Sequence, residues 1–269
     1  MTFIVVNEMK FRLQRPLLIL STVIVIALAY LLGWSTFFVV EKITVQTQSK
    51  VIANEINAKL NEPPAVVKIG DPMARVDRRE IASRLRQLLW IENIELNRQL
   101  LTGEVKIKII PRNPIAQLTS QSSTAAQSVG FMGADLEIFY LPRGAVEQAK
   151  ANGETNWGTI PELNFQGEFQ GDPRSVAMET RKSVSTLIET LQTEGYRVRQ
   201  VLARGPAEFT SSISIANAEA KSEKKMDINW GSVNELPLKI EVLQRLLEMK
   251  ENKRASYFNL ANPVSPIVK

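Results

Sequence analysis

An uncharged apolar run at residues 16–40 constrains this chain more than any other feature of its sequence. A helix of about 20 apolar residues crosses the hydrocarbon core of a bilayer, and this run is longer than that. Lys10, Arg12 and Arg15 precede the run, and basic residues beside a first span favour the cytoplasmic side. The pattern predicts a cytoplasmic tail at 1–15, a transmembrane helix in contact with membrane lipid at 16–40, and an extracytoplasmic body.

A cleaved secretory signal is the main alternative to a retained anchor, and a buried helix is a further one. Ala27 and Ala29 flank Leu28 in an arrangement that resembles a signal-peptidase site. The apolar character continues beyond this point to Val40, so cleavage after Ala29 would leave a mature chain that begins with an apolar strip. The retained anchor is therefore favoured, and it predicts a single-pass protein of the cytoplasmic (inner) membrane.

Composition excludes several kinds of chemistry. The chain contains no histidine and no cysteine, which removes the usual general base and the zinc sites built on these residues. The formal net charge is +5, but lysines and arginines are interleaved with acidic residues and form no basic stripe between aromatics. We therefore expect no metal, no cofactor, no nucleic acid and no small-molecule substrate.

Carboxylate pairs are the remaining candidates for catalysis. Asp135 and Glu137 would share one face of a strand. Glu92 and Glu95 form a second pair. Nothing near either pair indicates a buried acid with a raised pKa, which a glycosidase needs. The serine and lysines at 222–225 are typical of a polar hairpin turn rather than of a serine–lysine site. The chain is predicted to have no catalytic residue and not to be an enzyme.

The segment at 41–116 is predicted to form a small α+β domain. Asp77 precedes a helix pattern and Glu80 follows three residues later, which is a capping-box arrangement with aspartate in place of serine or threonine. Trp90 lies after that helix, where core packing is the default. Two alternating strands follow, so the element order is strand, helix, helix, strand, strand.

The segment at 117–269 is predicted to be β-rich with two helices. One helix is expected at about 173–193, ended by Gly195, and the other follows Lys239. Tyr257 and its neighbours alternate as a last strand, and a terminal strand is often an edge with unpaired backbone groups. Phe258 and Leu260 would point inward, with Tyr257 and Asn259 outward.

A series of motifs resembles a known family. In chain order they are Leu89-Trp90-Ile91, Arg98, Pro114-Ile115-Ala116, Gly133 with a strand at 136–140, Ile160-Pro161-Glu162-Leu163 with Gly167, Gly231 with Lys239, and the closing run 257–263. Their order, placed after the apolar run, resembles the POTRA domain and C-terminal β-domain of the bacterial cell-division family FtsQ (DivIB in Gram-positive bacteria). Pro111 stands where the family usually has glutamate.

The resemblance implies a non-enzymatic scaffold of the divisome. Such a protein links membrane division proteins to septal peptidoglycan synthesis, with FtsB- and FtsL-like single-span proteins as partners at the division septum. The implied partner surface comprises Tyr257, Phe258, Asn259, Leu260, Val264 and Ile267, with Tyr257 as its main anchor. The residues with structural roles are Asp77, Glu80, Trp90, Arg98 and Pro114. The alternatives are a POTRA-bearing component of a secretion or envelope-transport system and an envelope hydrolase.

Overall fold

The computed structural model describes residues 18–30, 38–47, 50–119, 127–152, 160–167, 172–217 and 222–269. In these ranges the chain is α+β, with six helices and twelve strands. It divides into two compact units, Met1–Ile110 and Pro111–Lys269. The boundary expected at residue 116 falls inside a strand of the second unit, Pro114–Leu118.

The prediction of a transmembrane helix at 16–40 is wrong. The structure describes a helix, α1, at residues 18–30. The end of the predicted span belongs to the first folded unit, because Val39 bridges to Pro72 and Val40 is fully buried. No helix within the described ranges is long and apolar enough to cross a membrane.

The same finding contradicts the predicted single-pass placement in the inner membrane with an extracytoplasmic body. The lipid contact predicted for the apolar run depended on that placement. The predicted tail at 1–15 lies outside the described residues, as do residues 16–17 and 31–37 of the predicted span.

Apart from α1, the described part of the first unit has two helices and a three-stranded sheet. Its elements are β1 (Lys42–Gln46), α2 (Lys50–Asn61), a 3₁₀ turn (Met73–Arg75), α3 (Arg78–Leu85), β2 (Ile91–Gln99) and β3 (Glu104–Pro111). The sheet order is β1-β3-β2, and β1 runs parallel to β3. A parallel pair of strands needs a crossover connection. The chain that connects β1 to its parallel neighbour β3 contains both helices and β2, and β3 is the central strand of the sheet.

The core of the first unit forms where the helices meet the sheet. Ile56 of α2 and Ile81 of α3 are fully buried, and so are Val105 and Ile107 of β3. Lys106 and Lys108, which alternate with them in β3, are half-buried and exposed, and this is the period-2 pattern of a half-buried strand. Asp77 caps α3, with its Oδ1 accepting the backbone N–H of Arg79 at 2.7 Å.

The second unit is a nine-stranded sheet with three helices. Its elements are β4 (Pro114–Leu118), β5 (Ser128–Gly133), β6 (Ile138–Pro142), α4 (Arg143–Ala151), β7 (Glu162–Phe165), α5 (Met178–Thr193), β8 (Arg197–Gly205), β9 (Glu208–Asn217), β10 (Ser222–Gly231), α6 (Leu236–Glu248), β11 (Tyr257–Asn259) and β12 (Ile267–Val268). The strand order is β12-β11-β10-β9-β8-β7-β4-β5-β6. The sequence predicted two helices for this segment and missed α4.

One face of this sheet carries the core of the second unit. Helices α5 and α6 contribute Leu187 and Leu243 to the same apolar cluster as Phe209, Ile213 and Trp230 of the strands. The opposite face of the central strands is polar. Ser212, Asp227 and Tyr257 stand side by side there, because these residues are register partners across β9, β10 and β11.

Candidate functional site: the C-terminal edge

The last two strands form one end of the nine-stranded sheet. Strand β11 pairs with β10 in parallel, with Tyr257 beside Asp227, and pairs with β12 in antiparallel fashion. The N–H of Leu260 extends the pairing of β11 with β10 by donating to the carbonyl of Asn229 at 2.7 Å. Strand β11 is therefore paired on both sides. The terminal strand expected at 257–260 is an inner strand, and the open edge is β12.

The open edge offers few backbone groups. Tyr257 and Lys269 exchange both backbone hydrogen bonds, at 3.1 and 3.0 Å. The next pair along, Phe258 and Val268, is then a non-hydrogen-bonded pair, because the two pair types alternate in an antiparallel ladder. The N–H and C=O of Val268 therefore point away from β11. Pro266, two residues earlier, has a carbonyl but no N–H to present on that side.

The predicted partner residues fall into two groups in the structure. Phe258 and Leu260 are fully buried in the core of the second unit, so their side chains do not reach a partner. Asn259 is half-buried and its Oδ1 accepts the N–H of Ala261 at 3.0 Å, which shapes the loop after β11. Tyr257 is half-buried on the polar face of the sheet.

Two of the predicted partner residues are well exposed. Val264 is 89 % exposed in the loop between β11 and β12, and Ile267 is 51 % exposed in β12 itself. Ile267 is the register partner of Asn259, so its side chain lies on the same polar face as Tyr257. The structure thus brings Tyr257 and Ile267 to one face at the end of the sheet.

Charged residues occupy the polar face beside this edge. The carboxylate of Glu223 in β10 accepts from Arg197 of β8 at 2.8 Å and is also paired with Arg199. The Arg197 guanidinium is the main cause that lowers the pKa of the Glu223 carboxyl. Ser212 donates to Asp227 in the adjacent strands. Residues 222–225, expected to form a hairpin turn, instead begin β10, because they pair along β9 and Glu223 bridges to β8.

One acid of each carboxylate pair considered from the sequence forms a surface ion pair. Asp135 is paired with Arg112, and Glu95 binds the ammonium of Lys108 at 2.9 Å. Both acids are exposed, so neither resembles a buried general acid. Among the residues that the structure describes, no group of three or more acidic side chains is placed to hold a metal ion.

The residues predicted to have structural roles occupy defined positions in the fold. Asp77 caps α3 and Glu80 lies exposed in the first turn of that helix. Trp90 is 2 % exposed in the core of the first unit. Arg98 donates from Nη1 to the carbonyl of Val76 at 3.1 Å, which ties β2 to the turn before α3. Pro114 is buried at the start of β4.

Sequence reasoning noted Gly231 and Lys239 only as a motif and did not predict that they lie behind this edge. Lys239 of α6 is only 2 % exposed, and Gly231 at the end of β10 has a positive φ of 61° and lies against Ala261. The sequence offers one signal, a glycine eight positions before a lysine on the apolar face of a helix. The chain is thus a two-unit α+β protein whose second sheet ends in a short open edge. No protein-family model and no curated protein matches it.

Proposed function

We propose that this chain is a non-enzymatic scaffold of the bacterial division machinery, similar in role to the FtsQ/DivIB family that its motifs resemble. It binds FtsB- and FtsL-like division proteins and thereby links them to septal peptidoglycan synthesis. One observation carries the proposal. The last strand of the second sheet has an open side on which Val268 presents an N–H and a C=O to another chain.

The partner contact combines a short backbone pairing with a side-chain surface. An added strand beside β12 receives two hydrogen bonds at Val268 but finds no donor at Pro266, so the ladder is short. Side chains must therefore supply much of the binding energy. Ile267 and Tyr257 lie on one face, and Val264 projects from the preceding loop. A half-buried tyrosine beside an exposed aliphatic group is typical of the centre of an interface.

The surface chemistry supports a binding role rather than a hydrolytic one. Asp135 and Glu95, candidate acids for a hydrolase, are exposed and paired with basic side chains. Asp135 is paired with Arg112, and Glu95 with Lys108. The proposed edge, by contrast, places its apolar side chains in solvent, where only a partner buries them.

Capture of an FtsB-like protein from the same genome tests the proposal. Removing residues 262–269 deletes β12 and its loop, and we expect this truncation to lose capture of the FtsB-like protein. Near-ultraviolet circular dichroism of the truncated chain checks that the core around Trp230 is retained. Normal capture by a folded truncation would show that the partner binds elsewhere.

A further inference from the structure

The chain turns sharply where β10 leaves the sheet and leads into α6. A β-bulge interrupts the pairing with β9 between Asn229 and Gly231. Gly231 has a φ of 61°, and Glu235 has a φ of 55° although it is not glycine. The Oδ1 of Asn229 accepts the N–H of Gly231 at 3.0 Å. The left-handed conformation is unstrained for Gly231 but costly for Glu235, so other contacts must hold this corner.

Lys239 holds the corner from inside the protein. Its Nζ donates to the carbonyl of Trp230 at 2.7 Å and to that of Ser232 at 2.8 Å. These two carbonyls flank Gly231, so one amine fixes the chain on both sides of the glycine. Trp230 is itself fully buried, and its Nε1 donates to the Oγ of Ser211 at 2.8 Å.

Burial of this lysine is expensive. Desolvation lowers the pKa of Lys239, and the charge of Glu235 offsets the effect in part. Neither hydrogen-bond acceptor of Nζ is a carboxylate, so no ion pair compensates directly for the loss of hydration. What Lys239 contributes is the geometry of the corner rather than a large gain in stability.

On its outer side, the corner at Gly231 is in contact with Ala261, close to the C-terminal strands. A Cβ placed on Gly231 would lie 2.9 Å from the Cβ of Ala261 and 3.1 Å from its Cα. Real Cβ atoms do not approach so closely, and glycine is therefore required here for a steric reason as well as for its φ. Ala261 directly follows Leu260 and begins the loop to β12.

We infer that Lys239 and Gly231 are positioning residues for the C-terminal edge. Lys239 fixes the backbone around Gly231, and Gly231 allows Ala261 to sit against the corner. Ala261 in turn sets where the loop starts and so where β12 lies beside β11. The consequence for partner capture rests on the proposed function. The positioning of β11 and β12 does not.

Hydrogen exchange of the full-length chain tests this inference. We compare Gly231→Ala with Gly195→Ala, a matched control in which φ is also positive, at 80°, but nothing lies within 4 Å of the added Cβ. The first change should lower the protection of amides in 256–269 by about tenfold or more, the scale of one strained left-handed residue. The control should leave those amides unchanged, and both should leave the amides of β2 and β3 in the first unit unchanged.

Lysine variants test the second member of the pair. Lys239→Met leaves the carbonyls of Trp230 and Ser232 without their donor and should also lower protection in 256–269. Lys239→Arg retains N–H donors and should restore part of that protection. If Gly231→Ala prevents folding, Ala261→Val approaches the same contact from the exposed side and should give the same local loss.

Two measurements separate the inference from the proposed function. Unchanged protection at 256–269 in Lys239→Met and in Gly231→Ala or Ala261→Val would overturn the inference. Lost protection with undiminished capture of the FtsB-like protein would support the positioning role and contradict the proposed partner surface. Lost protection together with lost capture in these variants, and neither in Gly195→Ala, is the expected result.

Discussion

Val268 stands opposite Phe258 in a non-hydrogen-bonded pair of the β11–β12 ladder. This relationship separates two roles within one pair of residues. The Phe258 side chain is fully buried and fills the core, whereas the Val268 backbone points its polar groups out of the sheet. A change at Phe258 should therefore affect folding, and a change at the Val268 backbone should affect binding.

Removal of the Asp77 side chain should weaken the first unit. Asp77 accepts the N–H of Arg79 at 2.7 Å at the start of α3, and loss of such a cap costs about 0.5–2 kcal/mol. Asp77→Ala should lower the free energy of unfolding by this amount in urea denaturation. Asp77→Ser retains an acceptor and serves as the control. Equal stability of the two variants would contradict the assigned cap.

Loss of the Ser211 hydroxyl should destabilise the second unit. Trp230 Nε1 donates to Ser211 Oγ at 2.8 Å in the buried core, and a buried donor left without its partner costs about 1–3 kcal/mol. We expect Ser211→Ala to lower the midpoint of thermal unfolding. Ser183→Ala, which removes an exposed hydroxyl of α5, should change it much less. The reverse order of effects would refute this assignment.

Glu55 should make the first unit less stable as pH rises. Burial raises the pKa of the Glu55 carboxyl. The folded protein thus holds this proton more tightly than the unfolded chain does, so stability falls as pH rises from the unfolded value of about 4.5 through the raised folded pKa.

Comparison with Glu55→Gln isolates this effect. The glutamine variant lacks the titration, so its stability relative to the unchanged protein should increase between about pH 4 and pH 7. Urea denaturation at the two values measures the difference. A constant difference between the two proteins would show that the carboxyl is not destabilised by its surroundings.

Features with a local cause could be predicted from the sequence. The Asp77 cap and the inward alternation of Val105 and Ile107 depend on neighbouring residues alone, and both are present in the structure. Helix α5 has four apolar residues on one face and a glycine after its end, which are also local signals. The short helix α4 has small apolar residues and no side-chain cap, so its pattern is weak.

Features that depend on distant contacts could not be predicted in this way. Hydropathy assigned residues 38–40 to a membrane span. In the structure Val40 is buried in the first unit, and its N–H donates a hydrogen bond to the carbonyl of Asp71. Strand β12 is two residues long and has no alternation to read. Charged residues usually prefer water, so the sequence does not predict that Lys239 is buried. Its burial depends on two backbone carbonyls, those of Trp230 and Ser232, that accept its N–H groups.

The most direct test of the proposed function is capture of the FtsB-like protein by Val268→Pro. Proline at this position removes the outward N–H, keeps the inward hydrogen bonds of Ile267 and Lys269, and places a ring on the open side of β12. Val268→Ala, which keeps that N–H and only shortens the side chain, is the matched control. We predict that Val268→Pro retains its unfolding temperature to within a few degrees and loses capture about tenfold or more, while Val268→Ala retains it. Full capture by folded Val268→Pro would contradict the account.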